Sequence, residues 1–243
     1  MTREQVQTAV QMIFPPRCVA CGVHVESDFQ LCGSCWRETP FIGGAICDRC
    51  GIPLPGQVSE HQEVCDDCMT NDPLWSQGRS VLLYEGAARS LVLRLKHGDR
   101  HDIARPAARW MAAEASPIVS EVTIVAPIPL HWTRFLRRRY NQSALLAERV
   151  AKELSLQYIP DLLLRTFATA SLDGKTREER FLELRNAISV NSKHLTQLKT
   201  ASVLLVDDVM TSGATFSAAT EACLHACADQ VNVIALARVA KHP

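Results

Sequence analysis

The sequence predicts an α/β protein, a parallel sheet flanked by helices, behind a cysteine-rich segment that needs metal to fold. Three observations carry this. Beyond Trp75, bare apolar runs alternate with helical patterns, as strand–helix–strand units do. Eight of the ten cysteines precede residue 70, all in Cys-x2-Cys pairs. The hydrophobic share of 47% allows a full core, yet the stretch 18–68 holds too little apolar material to build its own. The division falls at residue 75, giving segments 1–75 and 76–243.

Along the larger segment, residues 80–84 read as a strand and 87–96 as a short helix. Residues 102–115 place Ile103, Ala107, Trp110 and Met111 at helical spacing. Residues 122–126, Val-Thr-Ile-Val-Ala, form a run suited to a strand buried on both faces. Helical spacing returns over 141–154 through Leu145, Ala147, Val150 and Leu154. A buried strand over 203–206, a helix over 216–227 and a last strand over 231–236 complete the pattern. The interval 165–188 differs: it is polar, rich in Arg, Glu and Thr, and broken at Leu172-Asp173-Gly174. Such a stretch reads as a functional lid or an exposed hairpin, the plainer alternative being a solvated insertion without a role.

Formal net charge is zero, so no global field draws the chain to nucleic acid or membrane, and any basic surface is local. No window approaches the ~18 apolar residues of a membrane span. The apolar knot at 10–14 stops at Pro15-Pro16, too short for a secretory signal, so a cytoplasmic location without membrane insertion is expected.

In a reducing compartment, paired cysteines are more often metal ligands than disulfides. The pairs are Cys18/Cys21, Cys32/Cys35, Cys47/Cys50 and Cys65/Cys68, and Cys21-Gly22 and Cys50-Gly51 hold corresponding places in two repeated units. Two such turns supply four thiolates, suited to tetrahedral Zn2+ with no open position, hence two structural sites. Sequential pairing is the simplest assignment; a cross-braced one satisfies the same spacing, and disulfides or redox dithiols are the competing chemistry. Cys223 and Cys227, four apart on an apolar helix, read as packing residues, and His61 as a surface histidine.

Residues 203–215 run Val-Leu-Leu-Val-Asp-Asp-Val-Met-Thr-Ser-Gly-Ala-Thr. A buried strand here delivers Asp207 and Asp208 to its C-terminal edge, where ligands bind in open α/β sheets. Thr211, Ser212, Gly213, Ala214 and Thr215 then open a helix, whose free N–H groups and positive end form an anion site. The acids would repel phosphate; they suit ribose hydroxyls or a Mg2+ held at the sugar. Acid pair plus phosphate cup describes a ribose 5-phosphate. There is no Gly-Lys-Ser/Thr of a Walker loop. The bare alternative is that acids and hydroxyls only cap the helix.

This segment resembles the phosphoribosyl-diphosphate (PRPP) motif of type I phosphoribosyltransferases. With the cysteine units, the chain is similar to the ComF family, ComFC- and GntX-like proteins with a double zinc ribbon. Further matching features are Ile13-Phe14-Pro15-Pro16-Arg17-Cys18, Leu95-Lys96-His97-Gly98-Asp99, 125–130, Arg139-Tyr140-Asn141-Gln142 and 235–238. The resemblance spans nearly the whole chain. It implies a type I phosphoribosyltransferase fold, PRPP with Mg2+ as ligand, and Asp207 and Asp208 as catalytic residues.

It also implies that Pro127, Ile128, Pro129, Arg137 and Arg139 meet the pyrophosphate end, where a cluster with Arg134 and Arg138 is suited to bidentate contacts. The competing readings of these arginines are a solvated turn or a nucleic-acid patch. Asn141 is either an N-cap or a ligand contact. Lys96 lies near the cleft or simply complements a helix C-terminus. The interval 165–188 corresponds to a hood closing over the reacting carbons, carrying Arg177, Arg180 and Arg185. Where many relatives have Gln and Asn, this chain has Leu172 and Glu183, which points to a different acceptor or none. The family's association with natural competence implies a role in DNA uptake or use of external DNA, with single-stranded DNA and a competence helicase as partners. Two functions follow: a phosphoribosyltransferase of unknown acceptor, or a non-catalytic adaptor binding PRPP or single-stranded DNA.

Overall fold

A computed structural model of the chain describes residues 14–58, 61–97, 100–130, 140–165 and 187–240. Among these, seven strands form: β1 (Gly78–Leu83), β2 (Thr123–Pro127), β3 (Gln157–Tyr158), β4 (Leu163–Arg165), β5 (Ile188–Val190), β6 (Ser202–Met210) and β7 (Gln230–Arg238). Five pair in parallel in the order β1-β7-β6-β2-β3, and β4 pairs antiparallel with β5. The helices are α1 (Gly33–Glu38), α2 (Asp66–Thr70), α3 (Gly86–His97), α4 (Ala104–Ala115), α5 (Gln142–Leu154), α6 (Leu195–Leu198) and α7 (Ala214–His225). No helix among the described residues is long and apolar enough to cross a membrane.

As far as Val206 in β6 and Ala237 in β7, the central strands are charge-free because both faces are covered. On one face Leu204, Val206, Ile234 and Val125 meet Val92 and Leu95 of α3, Met111 of α4 and Leu146 and Val150 of α5. On the other, Val203, Leu205, Val231 and Val233 meet Phe216 and Cys223 of α7, together with Trp75 and Cys47, Cys50 and Cys68. Leu204 and Leu205 are completely buried on opposite faces, so truncating either to alanine is expected to cost about 2–5 kcal/mol.

The fold class is the one the sequence predicts, with local corrections. The strand expected to end at Val206 continues to Met210, because β7 runs beside it as far as Arg238. Asp207 and Asp208 therefore lie within a hydrogen-bonded strand. The last helix begins at Ala214 and stops at His225. Cys223 packs in the core as expected, but Cys227 lies past the helix end, exposed, with φ 66°.

Connectivity places the site. Helix α5 follows β2 and packs on one face, while α7 follows β6 and packs on the other. The chain thus leaves two adjacent strands in opposite directions, the arrangement in which open α/β sheets bind ligands outside the C-terminal ends of the strands.

Candidate functional site

The first site question concerns sulfur. In each group, Cys18/Cys21/Cys32/Cys35 and Cys47/Cys50/Cys65/Cys68, the sulfurs all lie within 4.8 Å of one another. Cys21 and Cys32 are 3.7 Å apart and Cys50 and Cys65 3.8 Å, far beyond a bonded disulfide and close to the tetrahedron edge of roughly 3.8 Å set by a Zn–S bond near 2.3 Å. Backbone N–H groups of Cys32 and Cys65 donate to the sulfurs of Cys18 and Cys47 at 3.2 and 3.3 Å, which favours thiolates. Hydrogen bonds from Cys50 and Cys68 pull the Cys47 thiol well below the usual range, and the same contact with Cys47 pushes Cys68 up. A divalent cation would replace the shared protons and end that competition. Both groups fit a structural zinc ion, in the sequential pairing.

The second chemistry lies at the end of β6. Asp207 Oδ1 accepts the Ser143 hydroxyl at 2.6 Å and the Asp208 N–H at 2.8 Å. Burial pushes the Asp207 carboxyl up to about 7, the neighbouring charge of Asp208 adds to this, and Ser143 and Lys96 oppose it. Asp208 is buried and pairs with Lys96 Nζ at 3.1 Å. Substituting Lys96 with methionine leaves that carboxylate without its cation. The expected cost is about 2–3 kcal/mol, seen as a lower urea midpoint at unchanged slope.

Beyond Met210, residues 211–213 turn into α7. Gly213 is the N-cap, with φ 78° and ψ 0°, a left-handed conformation that favours glycine. Gly213 has no side chain to cap the helix, and Ser212 Oγ accepts the Ala214 N–H at 3.5 Å. The first-turn N–H groups and the positive end of the helix suit an anion. Ala214 is buried behind them.

The Tyr-Asn-Gln run binds three parts of this end of the sheet together. Asn141 is the N-cap of α5, accepting from Ser143 N–H at 3.0 Å, while its Nδ2 donates to the Ile128 carbonyl at 3.2 Å. Tyr140 donates its hydroxyl to the Leu95 carbonyl, and Gln142 Nε2 donates to that of Lys96 at 3.2 Å. These two bonds fix the end of α3 and so aim Lys96. Pro127, Ile128 and Pro129 are buried at the end of β2, where the Ile128 N–H donates to Val206.

The structure thus brings Lys96, Pro127, Ile128, Pro129, Asn141, Asp207, Asp208 and residues 211–215 to one end of the sheet. Arg134, Arg137, Arg138, Arg139, Arg177, Arg180 and Arg185 lie outside the described residues. The two ends of the proposed hood are joined, since Leu163 pairs with Val190 and Arg165 with Ile188. Sequence reading missed Ser143, which lacked any motif, and gave no role to Arg238, whose buried guanidinium donates to the Met210 and Thr211 carbonyls under the loop. It also missed Trp75, taken only as a boundary marker. A tryptophan between a cysteine unit and a strand was the available signal.

Comparison with known proteins agrees with the reading of the cysteine units. Residues 9–69 match the double zinc ribbon domain family. Competence protein F of Haemophilus influenzae is 25% identical over 230 residues, covering 91% of this chain and 96% of that protein. DNA utilization protein YhgH of Escherichia coli is 28% identical over 235 residues, covering 92% and 97%. Among solved structures, glutamine phosphoribosylpyrophosphate amidotransferase from Bacillus subtilis, complexed with ADP and GMP, overlaps 59% of this chain and 30% of its own, at 15% identity and a TM-score of 0.40.

Proposed function

We propose that this homologue of Competence protein F and YhgH is a cytoplasmic, PRPP-binding, phosphoribosyltransferase-like protein that serves DNA uptake or the use of external DNA. One observation carries the ligand: an acid pair lies beside the glycine-started N-terminus of the twelve-residue helix α7, at the point where the sheet's connections diverge. Backbone N–H groups and hydroxyls of 211–215 suit the 5-phosphate, and Asp207 and Asp208 suit the ribose hydroxyls. The ends of β2 and the arginines at 137 and 139 complete the diphosphate side. Mg2+, held at the sugar and diphosphate, would supply charge neutralisation to the leaving group. In a transfer reaction the bond from the anomeric carbon to diphosphate breaks, and a nitrogen acceptor bonds to that carbon and gives its proton to solvent. The arginines neutralise the departing diphosphate, and a closed hood would exclude water.

The test is calorimetric titration of zinc-loaded protein with PRPP and Mg2+, followed by pyrophosphate release with a panel of nucleobases and amines. One PRPP per chain is expected. Replacing Asp207 and Asp208 together by alanine should weaken it at least about 100-fold, two charge-assisted contacts being lost. No binding by the wild-type protein overturns the reading. Binding without turnover on any acceptor favours the non-catalytic adaptor, for which single-stranded DNA affinity that falls steeply with salt is the second check.

A further inference from the structure

We infer that Trp75 is a strut that transmits the position of the second cysteine knuckle, residues 47–50, to the loop at Gly213. The function assigned to that loop rests on its reading as a phosphate site.

One end of the strut is tied to the knuckle. The Trp75 indole N–H donates to the carbonyl of Arg49, which stands between Cys47 and Cys50. The Arg49 guanidinium holds the segment carrying the tryptophan, donating to the Ser76 carbonyl at 2.9 Å, to that of Pro73 at 2.7 Å and to Asp72 Oδ1 at 2.6 Å. Asp48 fixes the same knuckle to the sheet: its carbonyl accepts the Gly78 N–H at 2.9 Å, and its carboxylate meets Arg79 at 2.9 Å. Gly51 has φ 68° and lies so close to β1 that a Cβ there would fall 2.6 Å from the Ser80 nitrogen.

The other end touches the loop. A Cβ built on Gly213 would lie 2.8 Å from Trp75 Cη2, the outer edge of the benzo ring. The ring is 4% exposed and meets Phe216, in the first turn of α7, with centroids 6.0 Å apart. Gly213 is therefore required twice, for its positive φ and for the space the indole occupies. A metal-ordered knuckle and the loop are linked by one rigid side chain, which makes Trp75 a positioning residue rather than a contact for ligand.

The experiment compares full-length, zinc-loaded protein with Trp75→Phe, which lacks both the indole N–H and the outer ring. Zinc content should be unchanged, while amide hydrogen exchange across 211–216 should accelerate about tenfold or more. Trp36→Phe, at an exposed tryptophan on the first cysteine unit, should leave that exchange unaltered. The decisive step is a size swap. Gly213→Ala should lower the melting temperature markedly in the wild-type background and less in Trp75→Phe, where the clash is gone and only the strain of the positive φ remains. Unchanged exchange with zinc retained, or an equal effect of Gly213→Ala in both backgrounds, overturns the strut. Affinity for ribose 5-phosphate should fall with the exchange protection. If wild-type protein binds none, the phosphate reading fails, and exchange with the swap still decides the strut.

Discussion

Replacing Cys68 with serine should remove one zinc per chain and lower the melting temperature of the whole sheet by roughly 10–20 °C. Cys35→Ser should also remove one zinc yet shift sheet melting by only a few degrees. The asymmetry follows from where the two units are buried. Cys47, Cys50 and Cys68 belong to the same apolar cluster as Trp75, Phe216, Val233 and Ala235, so the second unit forms part of one face of the sheet. The first unit contributes Val19 to a small cluster whose other fully buried members are Leu91 and Ile103. Structural zinc in isolated finger peptides is worth about 10–16 kcal/mol, more than many domains have to lose. Even a third of that, carried into a shared core, gives the stated shift at about 2–4 °C per kcal/mol for a chain of this size. Metal content by atomic spectroscopy and melting by calorimetry check both variants. Equal shifts would show that the second unit folds apart from the sheet.

How much of this was legible beforehand depends on which physical signal each residue carries. The sheet was legible because a strand covered on both faces must be almost wholly apolar, as 203–206 is throughout and 122–126 is apart from Thr123. The cysteine groups were legible because tetrahedral coordination demands four sulfurs and the two repeated units each supply four. Asp207, Asp208 and Gly213 were legible because acids at a strand end and glycine at a helix start have few other uses together. The strand's length was not, since Val209 and Met210 read equally well as loop until β7 is seen beside them. Nor was the clamp on Lys96. It depends on carbonyls of α3 meeting Tyr140 and Gln142 across 45 and 46 residues, a proximity no local pattern encodes. Ser143 is hidden for the same reason, because its partner Asp207 is 64 residues away. Trp75 stands at the seam of two compositions, and only the packing shows that it touches the loop 138 residues later.

Changing Asp207 to asparagine should stabilise the ligand-free protein at neutral pH and, on the proposed reading of the site, remove binding of PRPP. The carboxyl has been pushed from an ordinary 3.8 to about 7, first by burial and then by Asp208. Below about pH 4 it is protonated whether the chain is folded or not, and wild type and variant should differ little. Between about pH 4 and 7 the unfolded chain has released its proton and the folded chain has kept it, so wild-type stability falls as pH rises. Above about 7 both states are ionised and the penalty stays constant. Asparagine carries no charge and still offers an oxygen to the Ser143 hydroxyl, so its advantage should grow over that window to on the order of 2–4 kcal/mol. Urea unfolding at pH 4 and pH 7.5 measures it; a pH-independent difference would show that burial does not govern this carboxyl. The same proton should report on ligand. If PRPP with Mg2+ engages Asp207 as the carboxylate, its binding to the wild-type protein releases a proton near pH 7 and strengthens from pH 6 to pH 8. Calorimetry in buffers of different ionisation heat would detect the release, and Asp207→Asn should abolish it. A carboxyl kept buried beside a second acid at a cost in stability is the arrangement expected where Asp207 serves binding rather than the fold.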